Sequence, residues 1–469
     1  MTNTPSFTLA RDSGEPLCDQ IVRSVALRVD ARLLHAGARM PSIRRFAASH
    51  GVSPFTVVAS YDRLVAQGYL ESRRGAGFFV RQRQPQQQQL PAPAAAVPPA
   101  TLDVAWLVRS MFKQAPLGPT PGSGVLPSGW LDGAAVSNAL RELSRQNSDS
   151  LLNYGAPQGF LPLRQQLQRK LAALEIEAAP DQLVSTHGVT QAIDLVAREF
   201  CQPGDTVLVD DPAWFLMFGS FAAHGLKVIG VPRLADGPDL TQLDQLAALH
   251  RPRLFIVNSV LHNPSSTSIS AAKAFQVLRL AEQHDFLVVE DDIYCDLHPG
   301  SATRLAALDG LRRVIYLGGF SKSMAANLRV GFVAASRERA QRLADRKMLA
   351  TLSTGDIGER VVYKILAEGH YRKHLDRVRA RLDAARAPAL RLLESLGMRA
   401  DPAPAAGMFL WVDAGCDTNL LAARALQQGL LLAPGSLFSP SQQPSTRMRL
   451  NVAALHDPEV RRFLDTCQR

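Results

Sequence analysis

The chain has 469 residues, 46% of them hydrophobic and 20% charged, which is globular composition and more length than one ordinary domain needs. No apolar run reaches the roughly 18 residues of a membrane span, Met1–Pro16 lacks the basic-then-apolar order of a signal peptide, and the five scattered cysteines form no CxxC, so a reducing cytosol without disulfide framework or metal site is expected. The formal net charge is +10, and residues 1–100 hold 12 Arg, no Lys and 6 acidic residues, so a small basic segment on a near-neutral body predicts a polyanionic partner, either nucleic acid or an acidic membrane surface.

In chain order, Leu17, Ile21, Val25, Val29 and Leu33 recur every four residues and predict an amphipathic helix. A second helix fits Ser42–Ser49 with Ser42 as its N-cap, followed by the turn His50-Gly51-Val52. Ser53-Pro54 then reads as a cap with proline at the first helical position, where its missing N–H costs nothing. That third helix runs through Val57, Val58, Tyr61, Leu64 and Val65 to Gly68, and Val57, Tyr61 and Leu64 are expected in the core. YLESRRGAGFFV alternates around Gly75-Ala76-Gly77 and predicts a hairpin. Three helices and a hairpin make a winged helix-turn-helix over residues 14–81. Residues 82–100, QRQPQQQQLPAPAAAVPPA, have no apolar period and read as a flexible linker.

From residue 101 the pattern changes. Short β-branched runs at Thr206–Val209, Lys227–Val231, Leu254–Val257, Phe286–Glu290, Val314–Leu317 and Val330–Ala334 alternate with helical stretches such as Gln191–Phe200 and Ala271–His284. This predicts an α/β body with a mostly parallel central sheet covered on both faces, its large part over about 151–369. A smaller α+β part over about 370–469 begins with an Arg-rich helix and contains the strands GMFLWV and RMRLNV.

Lysine is scarce, with eight in the chain, and Lys322 stands just past the strand VIYLGG, where a strand end offers a side chain to a crevice. An amine partly desolvated there is nucleophilic toward an aldehyde, which makes Lys322 the candidate catalytic residue, a Schiff-base lysine. Complementary groups for pyridoxal phosphate follow in order. Gly188, Val189 and Thr190 open a helix whose free N–H groups suit a phosphate. Trp214 offers a stacking face, and Asn263 a hydrogen bond to a ring hydroxyl. Asp291 ends a strand and would keep a pyridine nitrogen protonated, while Tyr294 would bond the ring oxygen.

Two resemblances follow from these motifs. PLCDQIVRSVALRVDARLLHAGARMPSIRRFAASHGVSPFTVVASYDRLVAQGYLESRRGAGFFV resembles the winged-helix head of the GntR family. The resemblance implies that the third helix enters a DNA major groove with Ser53, Phe55 and Thr56 near its start. It also implies that Arg44 and Arg45 lie near phosphate or base edges, and that the wing Arg73-Arg74-Gly75 touches the neighbouring groove. Pro54 stands where that family often has Arg. The body resembles the class I and II aminotransferases of pyridoxal phosphate fold type I, in the motifs NYGAPQGFLPLR, SKSMAANLRVG and RMRLNVA. This implies Lys322 as the cofactor lysine, Ser321 and Arg329 on the phosphate, Tyr154 reaching a partner subunit's phosphate, and Arg449 clamping a substrate or effector carboxylate. Ser265-Ser266 replaces the family's Thr-Gly, Ala326-Asn327 its Pro-Gly, and Gly319 a frequent phosphate-binding serine. The combination resembles the MocR regulators, which implies a cytoplasmic homodimer that binds operator DNA and senses the cofactor or a small amino compound. The alternative is a working aminotransferase with an accessory DNA-binding head.

Overall fold

The computed structural model describes residues 9–11, 13–81, 119–145 and 152–466. The chain falls into two compact units, Met1–Val97 and Pro98–Arg469. The linker expected over 82–100 lies outside the described residues.

In the first unit, α1 (Leu17–Asp30) turns the four-residue spacing into one buried face carrying Ile21 and Val25. Leu33, expected to continue that stripe, lies beyond the helix end and is exposed, because Arg32 adopts a left-handed conformation and turns the chain away. α2 (Ile43–His50) is capped by Ser42, whose Oγ accepts from the Arg45 N–H, and closed by Gly51 in the left-handed region. α3 (Pro54–Ala66) starts on Ser53, whose Oγ accepts from the Thr56 N–H at 3.0 Å. Such a cap contributes about 1 kcal/mol. Val57, Tyr61 and Leu64 are fully buried, and Tyr61 sets its ring edge-on to Phe46 and Phe78. The hairpin of β1 (Leu70–Arg73) and β2 (Gly77–Val80) pairs antiparallel, with Gly75 at positive φ at its tip.

The second unit is built on an eight-stranded sheet in the order β3-β10-β9-β8-β7-β4-β5-β6. These strands are β3 (Leu183–His187), β4 (Thr206–Asp211), β5 (Lys227–Leu234), β6 (Gly237–Pro238), β7 (Leu254–Val257), β8 (Leu287–Asp291), β9 (Val314–Gly319) and β10 (Val330–Ala334). The run β5-β4-β7-β8-β9 is parallel, whereas β10 is antiparallel to both neighbours. The β9–β10 connection holds only the short turn Ala326–Leu328 and no crossover helix, so β10 cannot return parallel. Val207 and Val209 join one apolar layer and Leu208 the other, as do Ile256 against Phe255 and Val257. Both faces of the central strands are therefore dry, as their continuous apolar runs predict. The helix His370–Ser395 leads to an antiparallel sheet of β11 (Arg399–Ala400), β12 (Phe409–Asp413), β13 (Ala433–Pro434) and β14 (Arg447–Asn451). No helix among the described residues is long and apolar enough to cross a membrane.

Candidate functional site

The parallel strands converge their carboxyl ends on one crevice of the body. β8 ends on Asp291, β9 leads to Lys322, and the segments after β4 and β7 carry Trp214 and Asn263. Lys322 Nζ donates to the Gly124 carbonyl at 2.8 Å. Burial first, then the positive charge of Arg449, lowers its pKa to about 8, with Asp291 pulling the other way. Burial raises the Asp291 carboxyl to about 7, while the Ile293 N–H donates to its Oδ1 at 3.1 Å. Its neighbours in the run Glu290-Asp291-Asp292 serve the fold instead. Glu290 accepts from the Leu305 and Ala306 N–H groups, and Asp292 pairs with Arg304 at 2.6 Å and accepts from the Tyr316 hydroxyl. Among the described residues only Asp292 of the three has a basic partner within ion-pairing distance, and the Asp291 carboxylate is held by a single backbone N–H.

Lys347 is a rival that the sequence did not single out. It is fully buried and burial lowers its pKa to about 8 as well. Its Nζ, however, donates to the Ser185 carbonyl at 2.8 Å, to Ser185 Oγ at 3.3 Å and to Thr354 Oγ1 at 3.2 Å. All three ammonium protons are thus occupied in a closed polar network with Glu359, which leaves Lys322 as the amine at the crevice.

Arg449, on β14, is buried and lies against two aromatic rings, its Cζ 4.6 Å from the Phe409 centroid and 5.0 Å from that of Phe438. Nη1 donates to Asn263 Oδ1 at 2.9 Å and Nη2 to the Gly122 carbonyl at 2.7 Å. Its Nε has no partner, no described carboxylate lies within ion-pairing distance, and burial lowers its pKa to about 10. A buried cation without a counter-ion is costly, and the site is thereby prepared for an anion. Tyr294 is buried beside Asn263, and desolvation pushes its hydroxyl pKa upward. Trp214 is half-buried, and its loop is held by the Ala213 N–H on the Phe438 carbonyl at 2.7 Å.

At the other end of the crevice Gly188 opens the helix Gly188–Phe200 at φ +74°, and a Cβ there would stand 2.8 Å from Arg329 Nη2. Arg329, left-handed at φ 53°, donates to the His187 carbonyl at 2.9 Å. Val189 is buried and Thr190 exposed on that first turn, and Ser321 is half-buried beside Lys322. Free helix N–H groups with a guanidinium pressed on a glycine form a corner that fits a phosphate. The phosphate corner, the depressed lysine and the protonatable Asp291 together suit pyridoxal phosphate. Tyr154 is 83% exposed and stays outside the crevice of its own chain. Sequence reasoning missed the segment through Gly122 and Gly124, whose carbonyls meet Arg449 and Lys322, since PTPGSG carries only a loop signal.

In the first unit Phe55 stands 85% exposed at the start of α3, where Ser53 Oγ and Thr56 Oγ1 lie 2.8 Å apart. Arg44 and Arg45 are exposed on α2, and Arg74 and Gly75 at the wing tip. Arg73 is less available: it pairs with Glu71 at 2.6 Å and stacks its guanidinium over Phe79 at 4.5 Å. Arg39, not foreseen from the sequence, bridges to Phe79 and adds an exposed guanidinium beside the wing.

The aminotransferase class I and II model matches residues 122–466, and the bacterial regulatory protein gntR family model matches residues 17–80. The 2-aminoadipate transaminase of Thermus thermophilus is 31% identical over 68% of this chain and 81% of its own length. An uncharacterized HTH-type transcriptional regulator of Bacillus subtilis, YdfD, is 25% identical over 94% of both chains. The probable rhizopine catabolism regulatory protein MocR of Rhizobium meliloti is 28% identical over 80% of this chain and 76% of its own. Among solved structures, α-aminoadipate aminotransferase LysN of Thermus thermophilus, complexed with N-(5'-phosphopyridoxyl)-L-leucine, matches with TM-score 0.70 and 26% identity over 79% of this chain and 95% of that one.

Proposed function

Because the chain belongs to the class I and II aminotransferase family and carries a GntR-family head, we propose that it is a pyridoxal phosphate-dependent transcriptional regulator whose body senses a small amine bearing a carboxylate. The observation that carries the effector class is Arg449, a buried guanidinium with no counter-ion among the described residues, beside a lysine whose pKa burial lowers to about 8. When bound, pyridoxal phosphate supplies an aldehyde for an amine and a ring that withdraws electrons once its nitrogen is protonated. Gly188, Val189, Thr190, Ser321 and Arg329 would hold the phosphate. Asp291 would pair with the ring nitrogen, Tyr294 and Asn263 would bond the ring oxygen, and Trp214 would cover one face. Lys322 would hold the aldehyde carbon and yield it to an incoming amine. Arg449 would take the effector carboxylate in exchange for the Gly122 carbonyl, so that effector binding rearranges the segment over the crevice. The exposed Tyr154, with exposed Leu152 beside it, suits a homodimer in which each subunit completes its partner's site. Ser53, Phe55, Thr56, Arg44, Arg45, Arg74 and Gly75, with Arg73 in a supporting part, would contact operator DNA, and a DNA-binding role is in keeping with a cytoplasmic protein.

A second reading is a working aminotransferase, favoured by an intact Lys322, Asp291 and Arg449 set. Two measurements separate the possibilities. Purified protein should show the visible band of lysine-bound cofactor, Lys322→Ala should abolish it, and both forms should bind operator duplex at moderate salt. Repeated turnovers with an amino acid and a keto acid would instead establish catalysis. A band unchanged in Lys322→Ala would move the attachment to another lysine and sink the site assignment.

A further inference from the structure

The geometry points to a second small-molecule site in the body, specific for a polar metabolite with one carboxylate or phosphate, adjoining the segments that carry Trp214 and Asn263 and the strand that carries Arg449. A cleft of about 530 Å³ is lined there by Arg233, His262, Ser265, Trp411, Ser439 and Arg447, where the ends of β4 and β5 meet the small sheet. That volume is within the range of small-ligand sites.

Its chemistry is set by Arg233, whose side chain is 1% exposed. Nη1 donates to Asp210 Oδ2 at 2.8 Å, which leaves Nε and Nη2 buried without a hydrogen-bond partner. Those two N–H groups share one edge of the planar guanidinium, the edge that takes an oxyanion side-on through two parallel bonds. His262 is fully buried, with Nδ1 on Ser265 Oγ at 2.8 Å and Nε2 3.8 Å from Asp210 Oδ2. Buried donors without acceptors are rare in native folds, and here Arg233 brings two to one cleft. Asp211 and Asp401 also line it, and Asp211 accepts from Ser439 Oγ at 2.9 Å. Two carboxylates disfavour a bare polyanion, and with the serine hydroxyls they suit a hydroxyl-bearing ligand with a single anionic group.

The position couples this cleft to the cofactor crevice. Pro212 lies two residues before Trp214, His262 directly precedes Asn263, and Trp411 pairs with Arg449 across β12 and β14. A ligand held there would brace all three from behind and fix the small sheet against the large one. Binding at this cleft is read by heat alone, so it stands or falls independently of whether the head responds to an effector.

The test is isothermal titration calorimetry on the full chain with cofactor, using glycerol 3-phosphate and glycerate separately at constant ionic strength. One of the two should bind with Kd below about 1 mM. Arg233→Lys keeps a cation on Asp210 but removes the two-donor edge, and should weaken binding about tenfold or more with the visible cofactor band unchanged. Ser439→Trp should abolish binding by filling the cleft, and covers the case in which Arg233→Lys does not fold. Arg449→Lys should leave the affinity as it is. No heat from either compound, equal affinity in Arg233→Lys or Ser439→Trp, or loss in Arg449→Lys would each overturn the assignment.

Discussion

At the scale of single residues, two basic side chains organise the crevice of the body. Arg449 combines a guanidinium plane, two flanking rings and no counter-ion among the described residues. Arg449→Lys keeps the charge but loses bidentate geometry, and hydrogen bonds to charged groups contribute about 1.5–3 kcal/mol each. Equilibrium binding of carboxylate-bearing amines should therefore weaken by about ten- to a hundredfold, while cofactor affinity measured by the visible band stays within error. Lys322 supplies a pH signature. Its pKa is held down to about 8, so below that pH the amine is protonated and cannot attack an aldehyde. The rate of cofactor capture by the apo protein should climb about tenfold per pH unit up to that value and then level off. A rate still climbing at pH 10 would mark an ordinary surface lysine. Lys322 was legible in the sequence because a strand-end lysine among ordered partner motifs is rare. The more deeply buried Lys347 was not, because it sits inside the polar-looking helix Arg337–Thr351 and its burial depends on Ser185, 162 residues away in sequence.

At the scale of elements, periodicity was a good guide where one element decides its own fate. The third head helix starts on Ser53 and Pro54 as expected, and the strand Leu254–Val257 has the bounds its apolar run predicts. Strand Leu183–His187 was missed because Ser185 and Thr186 are polar yet buried, their hydroxyls taken up by Glu359 and the Gly188 carbonyl. Arg73 shows the converse limit, since its pairing with Glu71 and stacking on Phe79 arise only once the hairpin forms. The phosphate corner is itself an element-level device, a strand–turn–helix closed by a glycine. Gly188→Ala would force alanine to φ +74° with its Cβ 2.8 Å from Arg329 Nη2, at a cost of about 1–2 kcal/mol from the backbone alone. The loss of affinity should be larger for pyridoxal phosphate than for phosphate-free pyridoxal, measured by spectrophotometric titration. Equal losses for both would mean that Gly188 supports the fold and not the phosphate.

At the scale of the whole molecule, the chain joins a basic reader of DNA to a family body built for amine chemistry. The division into head and body was legible in the sequence through the change of hydrophobic period and the uneven charge, whereas the segment through Gly122 and Gly124 that closes the crevice was invisible until folded. A regulator of this design needs the effector to favour one arrangement of the molecule over another, typically by 1–3 kcal/mol of coupling. The most direct measurement is the affinity of the full chain for an operator selected from random duplex DNA, taken with cofactor alone and then across a panel of amino acids at fixed salt. The regulatory account predicts that at least one carboxylate-bearing amine shifts Kd by about five- to a hundredfold, and that Lys322→Ala and Arg449→Lys each suppress the shift. An operator affinity indifferent to every amine, or a shift that persists in both variants, would contradict it.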